Sequence, residues 1–196
     1  MWEVIEAART KPFGFMAFYP GPGLGGHCIP LDPFYLSWKA AETGQWARFV
    51  ELAGEINTRM PHYVTDKVMR ALNEDGKATK GARVLVLGLA YKANIDDDRE
   101  SPSFEIIELL EDLGAKVSYC DPFFPTARRG RRHDLQRSSV PCTAEAFADY
   151  DALIVATAHD AFKDAKLYQR VKLVIDTRNM MAALFPPGGG PRLVKA

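Results

Sequence analysis

The sequence predicts an α/β protein: a doubly wound parallel sheet preceded by a helical segment. Three observations predict it. Four short aliphatic runs, at residues 83–89, 116–120, 152–156 and 173–176, are separated by stretches with helical character. The first 76 residues carry helical periodicity and no run of strand type. The chain is 47% hydrophobic and 26% charged over 196 residues, ordinary for a globular protein large enough to bury one sizeable core.

In order along the chain, residues 2–9 form a short helix that starts without a capping signal, as a cut inside a longer protein would. Residues 12–33 hold five of the 13 prolines and five of the 15 glycines, which marks a long structured loop. A helix begins at Asp32-Pro33, the aspartate in N-cap position and the proline first in the helix, and Gly44 ends or bends it. From Phe49 the residues Leu52, Ile56, Met60, Val64, Val68 and Leu72 recur every three to four positions. They predict one long helix over 45–75 with a single buried stripe, kinked but not terminated at Pro61. A small domain cannot cover such a helix, so a homodimer through it is expected. After a linker at 74–81 comes the first strand. The helix over 101–113 follows, with Ser101 as cap and Pro102 in its first turn. The remaining strands alternate with helical stretches near 143–148 and 160–168, and a tail at 186–191 (PPGGGP) reads as flexible. The division is therefore 1–76, a helical and dimerisation segment, and 82–196, an α/β ligand-binding domain.

In doubly wound sheets ligands bind off the carboxyl ends of the strands. That draws attention to residues 91–99, 121–122, 157–160 and 177–179. The loop before the first long helix is more informative still. Gly21, Gly23, Gly25 and Gly26 let the backbone approach a ligand closely, and Pro20, Pro22, Pro30 and Pro33 stiffen the same segment. Cys28 follows, just upstream of a helix N-terminus, where the dipole favours negative charge. It is a candidate nucleophile, and Asp32 four residues on is a candidate for holding water. From spacing alone both have plainer readings, a small buried thiol and an N-cap. No strand precedes the glycines, so they do not make a dinucleotide-binding GxGxxG. Adjacent residues rarely face each other, which weighs against a His27–Cys28 dyad.

The stretch FYPGPGLGGHCIPLDPFYLSWKA at 18–40 resembles the active-site signature of the UDP-glucose/GDP-mannose dehydrogenase family, in wording closest to the branch acting on UDP-N-acetylhexosamines. GLAYKANIDDDRESP at 88–102 and IDTRN at 175–179 are similar to the same family's C-terminal, Rossmann-like UDP-binding domain. The resemblance implies an NAD-dependent oxidation of a sugar C6 alcohol to a carboxylate in polysaccharide biosynthesis. On the same resemblance Cys28 would capture the aldehyde from a first hydride transfer as a thiohemiacetal, a second hydride transfer to NAD would give a thioester, and water would hydrolyse it. It implies further that Asp32 helps to activate water. Phe18, Tyr19 and the four glycines would wrap the nucleotide sugar, Tyr91, Lys92 and Arg178 would contact it, and Cys28 and Arg99 would lie on the NAD side. For Arg178 the plainer reading is an ion pair with Asp176; for Lys92 it is a solvated lysine. The family's NAD-binding domain has no counterpart upstream of Cys28 in this sequence. The chain alone is therefore expected to bind a UDP ligand weakly and not to turn over. Two other readings compete: a non-catalytic nucleotide-sugar-binding or dimerisation module, and a self-sufficient dinucleotide-binding protein using residues 88–93.

Composition narrows the rest. Zero net charge provides no field towards nucleic acid or an anionic membrane. No apolar run approaches the roughly 18 residues of a membrane span, and no signal peptide is recognisable. The basic run at 128–137 lacks interleaved aromatics and reads as an exposed loop, so no nucleic-acid partner is expected. Three dispersed cysteines point to the cytoplasm and to no disulfide. Cys120 and Cys142 read as structural. His62, His133 and His159 lack metal-ligand spacing, so no metal is expected.

Overall fold

A computed structural model describes residues 1–127, 133–186 and 188–196. The first half of the basic run, 128–132, and Pro187 of the tail lie outside the described residues. Five parallel strands form one sheet: β1 (Arg83–Leu87), β2 (Lys116–Cys120), β3 (Ala152–Val155), β4 (Leu173–Asp176) and β5 (Arg192–Lys195), in the order β2-β1-β3-β4-β5. The expected doubly wound α/β fold is what forms. Both faces of β1 are apolar because both are covered. Val84 and Val86 belong to one core cluster, Leu85 and Leu87 to another. The chain leaves β1 towards β2 on one side and later returns to β3 on the other. The order therefore reverses between β1 and β3, which opens a crevice at their carboxyl ends.

The helices are α1 (Trp2–Arg9), α2 (Asp32–Glu42), α3 (Arg48–Thr58), α4 (Met60–Glu74), α5 (Pro102–Asp112), α6 (Ala144–Ala148) and α7 (Met181–Leu184). The α5 start follows the sequence signal, with the Ser101 hydroxyl accepting from the Ser103 amide. At α2 the expectation is corrected. Asp32 is the first helical residue, Leu31 precedes it as the cap, and the Asp32 side chain makes no capping bond. The long helix over 45–75 is also two helices. Arg59 sits between them at φ −84°, ψ −10°, and Pro61, lacking an N–H, cannot continue the ladder onto Asn57.

The apolar stripe divides at that break. Val64, Val68, Ala71 and Leu72 of α4 are fully buried in the cluster that covers one face of the sheet, together with Phe104, Ile106 and Leu110 of α5. Phe49, Leu52 and Ile56 of α3 remain exposed. The hydrophobic core therefore crosses the boundary expected at 76–82: α4 is physically part of the α/β unit. On the other face, residues 160–168 form two 3-10 turns, Asp160–Phe162 and Ala165–Tyr168, in place of one helix. Asp164 caps the second, its carboxylate accepting from the Lys166 amide. The tail expected to be flexible leads into β5, which pairs with β4, and the Gly189 amide donates to the Pro186 carbonyl (2.9 Å). Gly-Pro content hid this edge strand, whose four residues are too few to show a period. Among the described residues no helix is long and apolar enough to cross a membrane.

The divided stripe has a measurable consequence. Leu72→Ala should destabilise the chain by about 2–5 kcal/mol, whereas at concentrations low enough to keep the chain monomeric Leu52→Ala should change stability by no more than about 0.5 kcal/mol. Urea unfolding of the two variants checks this, and equal losses would show that the stripe is continuous.

Candidate active site

The segment from β1 to α5 has no regular structure, and its shape is set by what it touches. Gly88 adopts φ +94° with its Cα facing Thr157 so closely that no side chain fits. Its amide donates to the Cys120 carbonyl (2.8 Å), and its own carbonyl accepts from the Ser103 hydroxyl (2.8 Å). The next two amides, of Leu89 and Ala90, both donate to one oxygen of the buried Asp121 carboxylate (2.6 and 3.0 Å). The Thr157 hydroxyl donates to the Ala90 carbonyl (2.5 Å). These bonds leave Tyr91 half-buried and Lys92 exposed at the mouth of the crevice. Among the described residues Lys92 makes no ion pair.

Arg178 follows β4. Its amide donates to Asp176 Oδ1 (3.0 Å) and its Nε to the Ala156 carbonyl (2.8 Å), and burial pushes its guanidinium below the ordinary value. The side-chain ion pair with Asp176 does not form; Asp176 instead accepts from the Met181 amide (2.7 Å). Among the described residues the guanidinium has no carboxylate partner. A partly buried arginine at the strand ends, without a carboxylate partner among the described residues, is suited to an anionic or carbonyl-rich ligand.

The glycine loop lies directly on these groups. A side chain at Gly21 would overlap the Arg178 guanidinium, and one at Gly25 would overlap Tyr91 and the Glu100 carbonyl. Gly23 packs on Pro102, and Gly26 lies against the Tyr91 ring with its amide donating to the Arg99 carbonyl (2.8 Å). The loop then turns through Cys28, whose carbonyl accepts from the Leu31 and Asp32 amides (3.0 and 2.8 Å) and starts α2. Cys28 is exposed, with its Sγ 3.9 Å from His27 Nδ1. The two adjacent side chains do meet, contrary to expectation, at the outer limit of a sulfur hydrogen bond. Arg99 binds Asp97 through Nε (2.9 Å) and Nη2 (2.6 Å). Its guanidinium is held above its ordinary value chiefly by Asp97, with smaller contributions from Tyr91 and Cys28.

Two family models match this arrangement. The UDP binding domain of the UDP-glucose/GDP-mannose dehydrogenase family matches residues 85–183, and that family's central domain matches residues 1–59. The chain belongs to this family. A UDP-N-acetyl-D-mannosamine dehydrogenase of Methanococcus maripaludis is 34% identical over 189 residues, which are 92% of this chain and 40% of the relative. An NDP-N-acetyl-D-galactosaminuronic acid dehydrogenase of Ralstonia nicotianae is 35% identical over 93% of this chain and 41% of its own length. The solved structure of a UDP-D-ManNAc dehydrogenase from Pyrococcus horikoshii superposes with a TM-score of 0.80 at 30% identity, covering 99% of this chain and 43% of that one. The chain thus spans about two fifths of the length of the relatives it matches.

Within this family member the strand ends bring together Gly21, Gly25, Gly26, Tyr91 and Arg178; Gly23 lies on Pro102, the Arg99 carbonyl accepts from the Gly26 amide, and Cys28 follows two residues later on the same loop. Three residues expected beside the crevice are otherwise engaged or open to solvent. Tyr19 stacks on Trp2 (centroids 5.6 Å apart) and donates to Glu6 (2.8 Å), so its ring is anchored to α1. Phe18 is exposed, as is Asp32. A separate apolar cavity of about 580 Å³ lies on the far flank of the loop, between Leu24, Ile29, Phe34, Phe49 and Pro102, and includes none of Cys28, Tyr91, Lys92 or Arg178.

The family's NAD does not fit the β1 turn. The amides that would receive its pyrophosphate are already taken by Asp121, an internal anion. That removes the basis for a self-sufficient dinucleotide site at 88–93. The acidic run that follows adds to this, since Asp97 is committed to Arg99.

Sequence reasoning pointed to the strand-end segments that hold Asp121, His159 and Asn94 but gave these three residues no role. His159 is fully buried; its Nε2 donates to Asp121 (3.1 Å) and its Nδ1 accepts from the Asn94 amide (3.0 Å). Their strand-end positions were the available signal, but nothing in the linear order links three residues from three segments. Asn179 was also missed: its Oδ1 is buried without a hydrogen-bond partner among the described residues, one position from Arg178. Spacing likewise hid the convergence of Glu105 and Glu108 on α5 with His133, whose candidate ligand atoms lie within 4.8 Å of one another. His133 Nδ1 and Glu108 share a hydrogen bond there (2.8 Å). These are the described residues with the means to hold a cation.

Burial alone would push the Asp121 carboxyl up, but the His159 hydrogen bond and the Ala90 and Phe123 amides outweigh it and hold the group below its ordinary value. A carboxyl depressed in the folded state adds stability that is complete above its unfolded value, about 3.9, and is lost as pH falls through the folded value. Asp121→Asn should therefore be less stable than the parent at pH 7, with the gap narrowing below about pH 4. Urea midpoints at pH 7 and pH 3 measure it; a gap that widens in acid would contradict the assignment.

Proposed function

We propose that this chain forms the catalytic-cysteine and UDP-binding part of an NAD-dependent UDP-sugar 6-dehydrogenase, with a UDP-N-acetylhexosamine as the substrate class. One observation carries the reading. A solvent-accessible thiol sits on a loop whose glycines are pressed onto an unpaired arginine and a tyrosine at the switch point of a parallel sheet. The relatives named for N-acetylated nucleotide sugars favour that substrate class.

In this reading Arg178 and Lys92 take the charged and carbonyl oxygens of the nucleotide, and Tyr91 sets the gap between loop and sheet. The sugar then runs alongside residues 21–26 towards Cys28. Its thiol adds to a C6 aldehyde: the S–C bond forms, the carbonyl π bond opens, and the proton passes to the resulting hydroxyl, giving a thiohemiacetal. His27, 3.9 Å from the sulfur, is placed to relay that proton. NAD, when bound by the family's cofactor domain, is the hydride acceptor. Asp32, one helical turn from the cysteine and open to solvent, is positioned to orient the water that attacks a thioester at the same sulfur.

Calorimetry with the 196-residue chain tests the nucleotide half. UDP should bind more tightly than NAD, and Arg178→Ala should weaken UDP by about tenfold or more, the equivalent of one charged hydrogen bond. Tighter binding of NAD would overturn the reading. For the chemical half, a UDP-sugar bearing a C6 aldehyde should slow alkylation of Cys28 more than the parent alcohol does.

We also infer that the exposed faces of α2 and α3, with Trp38, Phe49, Leu52 and Ile56, pack against a second copy of the chain. Sedimentation should show a dimer that Leu52→Glu dissociates; a monomer at all concentrations would refute it. The three free thiols suit a reducing compartment, and the cytoplasm is the location we infer.

A further inference from the structure

The turn that carries Tyr91 and Lys92 has no helix or strand of its own, yet both of its ends are tied to one buried pair. On its entry side the Leu89 and Ala90 amides donate to Asp121 Oδ2 (2.6 and 3.0 Å). On its exit side the Asn94 amide donates to His159 Nδ1 (3.0 Å). The pair closes on itself through His159 Nε2 and Asp121 Oδ2 (3.1 Å), with both side chains fully shielded from solvent.

The direction of these bonds fixes the tautomer. An amide can only donate, so Nδ1 accepts and the ring proton sits on Nε2, where it donates to the carboxylate. Rotation of the ring is blocked by Phe123 (centroids 5.2 Å apart) and by the edge contact with Phe162 (5.5 Å). Asn94 is itself clamped, its Nδ2 donating to Asp160 Oδ2 (2.9 Å) and its Oδ1 accepting from the Asp160 amide (3.0 Å). It needs that clamp because it holds φ +61°, a conformation that an unsupported asparagine adopts only at a cost. Residues 91–93 are thus strung between two fixed posts, and both posts lead back to Asp121 and His159.

We propose that Asp121 and His159 are positioning residues that hold the turn so that Lys92 and Tyr91 face the nucleotide diphosphate, with His159 Nδ1 governing the exit of the turn. This rests on the reading of the crevice as a UDP site and adds to it the groups that preorganise the phosphate contact. Neither residue touches the ligand. Their effect is on the entropy and geometry of Lys92, a long side chain on an irregular segment that would otherwise have to be ordered by binding itself.

Two substitutions at one position separate positioning from bulk stability. In His159→Asn the amide oxygen falls where Nδ1 was and keeps the acceptor for Asn94. In His159→Gln the amide reaches the Nε2 position, keeping the donor to Asp121 and losing the acceptor. Calorimetry of the full chain with UDP should show His159→Gln about tenfold weaker, one lost hydrogen bond, and His159→Asn close to the parent. Hydrogen exchange of the ligand-free chain should show the Asn94 amide opening faster in the Gln variant than in the Asn variant. Lys92→Ala is measured alongside. If the two His159 variants weaken UDP and exchange alike while Lys92→Ala is impaired, the positioning role is wrong and the UDP site stands. If Lys92→Ala binds UDP like the parent, the assignment of the turn to the nucleotide fails and takes this proposal with it.

Discussion

The contact on which the candidate site depends is between backbone and side chain: the main chain at Gly21 and Gly25 lies against Arg178 and Tyr91 with no room for a Cβ. Without that approach the loop bearing Cys28 and the crevice at the strand ends would be separate features of one chain. With it, a loop from the helical segment meets an arginine from the end of β4, although 150 positions of sequence separate Cys28, which that loop carries, from Arg178. The prolines that flank the glycines restrict the loop before it docks, so less conformational entropy is lost when it does.

Charge is distributed so that each anion and cation near the crevice has a distinct use. Asp121 fills the amide-lined turn after β1 from within, and Asp97 neutralises Arg99. Asp176 spends its oxygens on backbone amides, and among the described residues Arg178 has no carboxylate partner. The outcome is a parallel sheet of dinucleotide-binding type whose phosphate-binding turn is occupied by a carboxylate of the protein. In the proposed reading, the anion-binding role passes from these backbone amides to the Arg178 and Lys92 side chains.

The hydrophobic stripe over α3 and α4 shows a second division of labour. One periodic pattern serves two purposes, the α4 half closing the core of the sheet and the α3 half remaining as an apolar surface beside α2. Pro61 makes the division possible. It interrupts the ladder at Arg59, so the two helices can take different partners while the spacing of apolar residues carries on across the break.

Local signals determined much of this protein. The strands at 116–120 and 173–176, the Ser101 cap and Pro102 of α5, and the glycine–cysteine loop are written in contiguous residues, because propensity, capping and chain stiffness act over a few positions. The tertiary structure alone decided what those segments meet. It showed that Tyr19 is anchored on α1 and that Asp32 begins α2 as a helical residue. It placed α4 in the core of the sheet, and it joined Asp121, His159 and Asn94 from three segments into one network. A hydrogen bond between side chains 38 positions apart leaves no periodic trace in a sequence. Nor does the burial of one half of a stripe, since hydrophobic spacing records which face is apolar and not which neighbour will cover it.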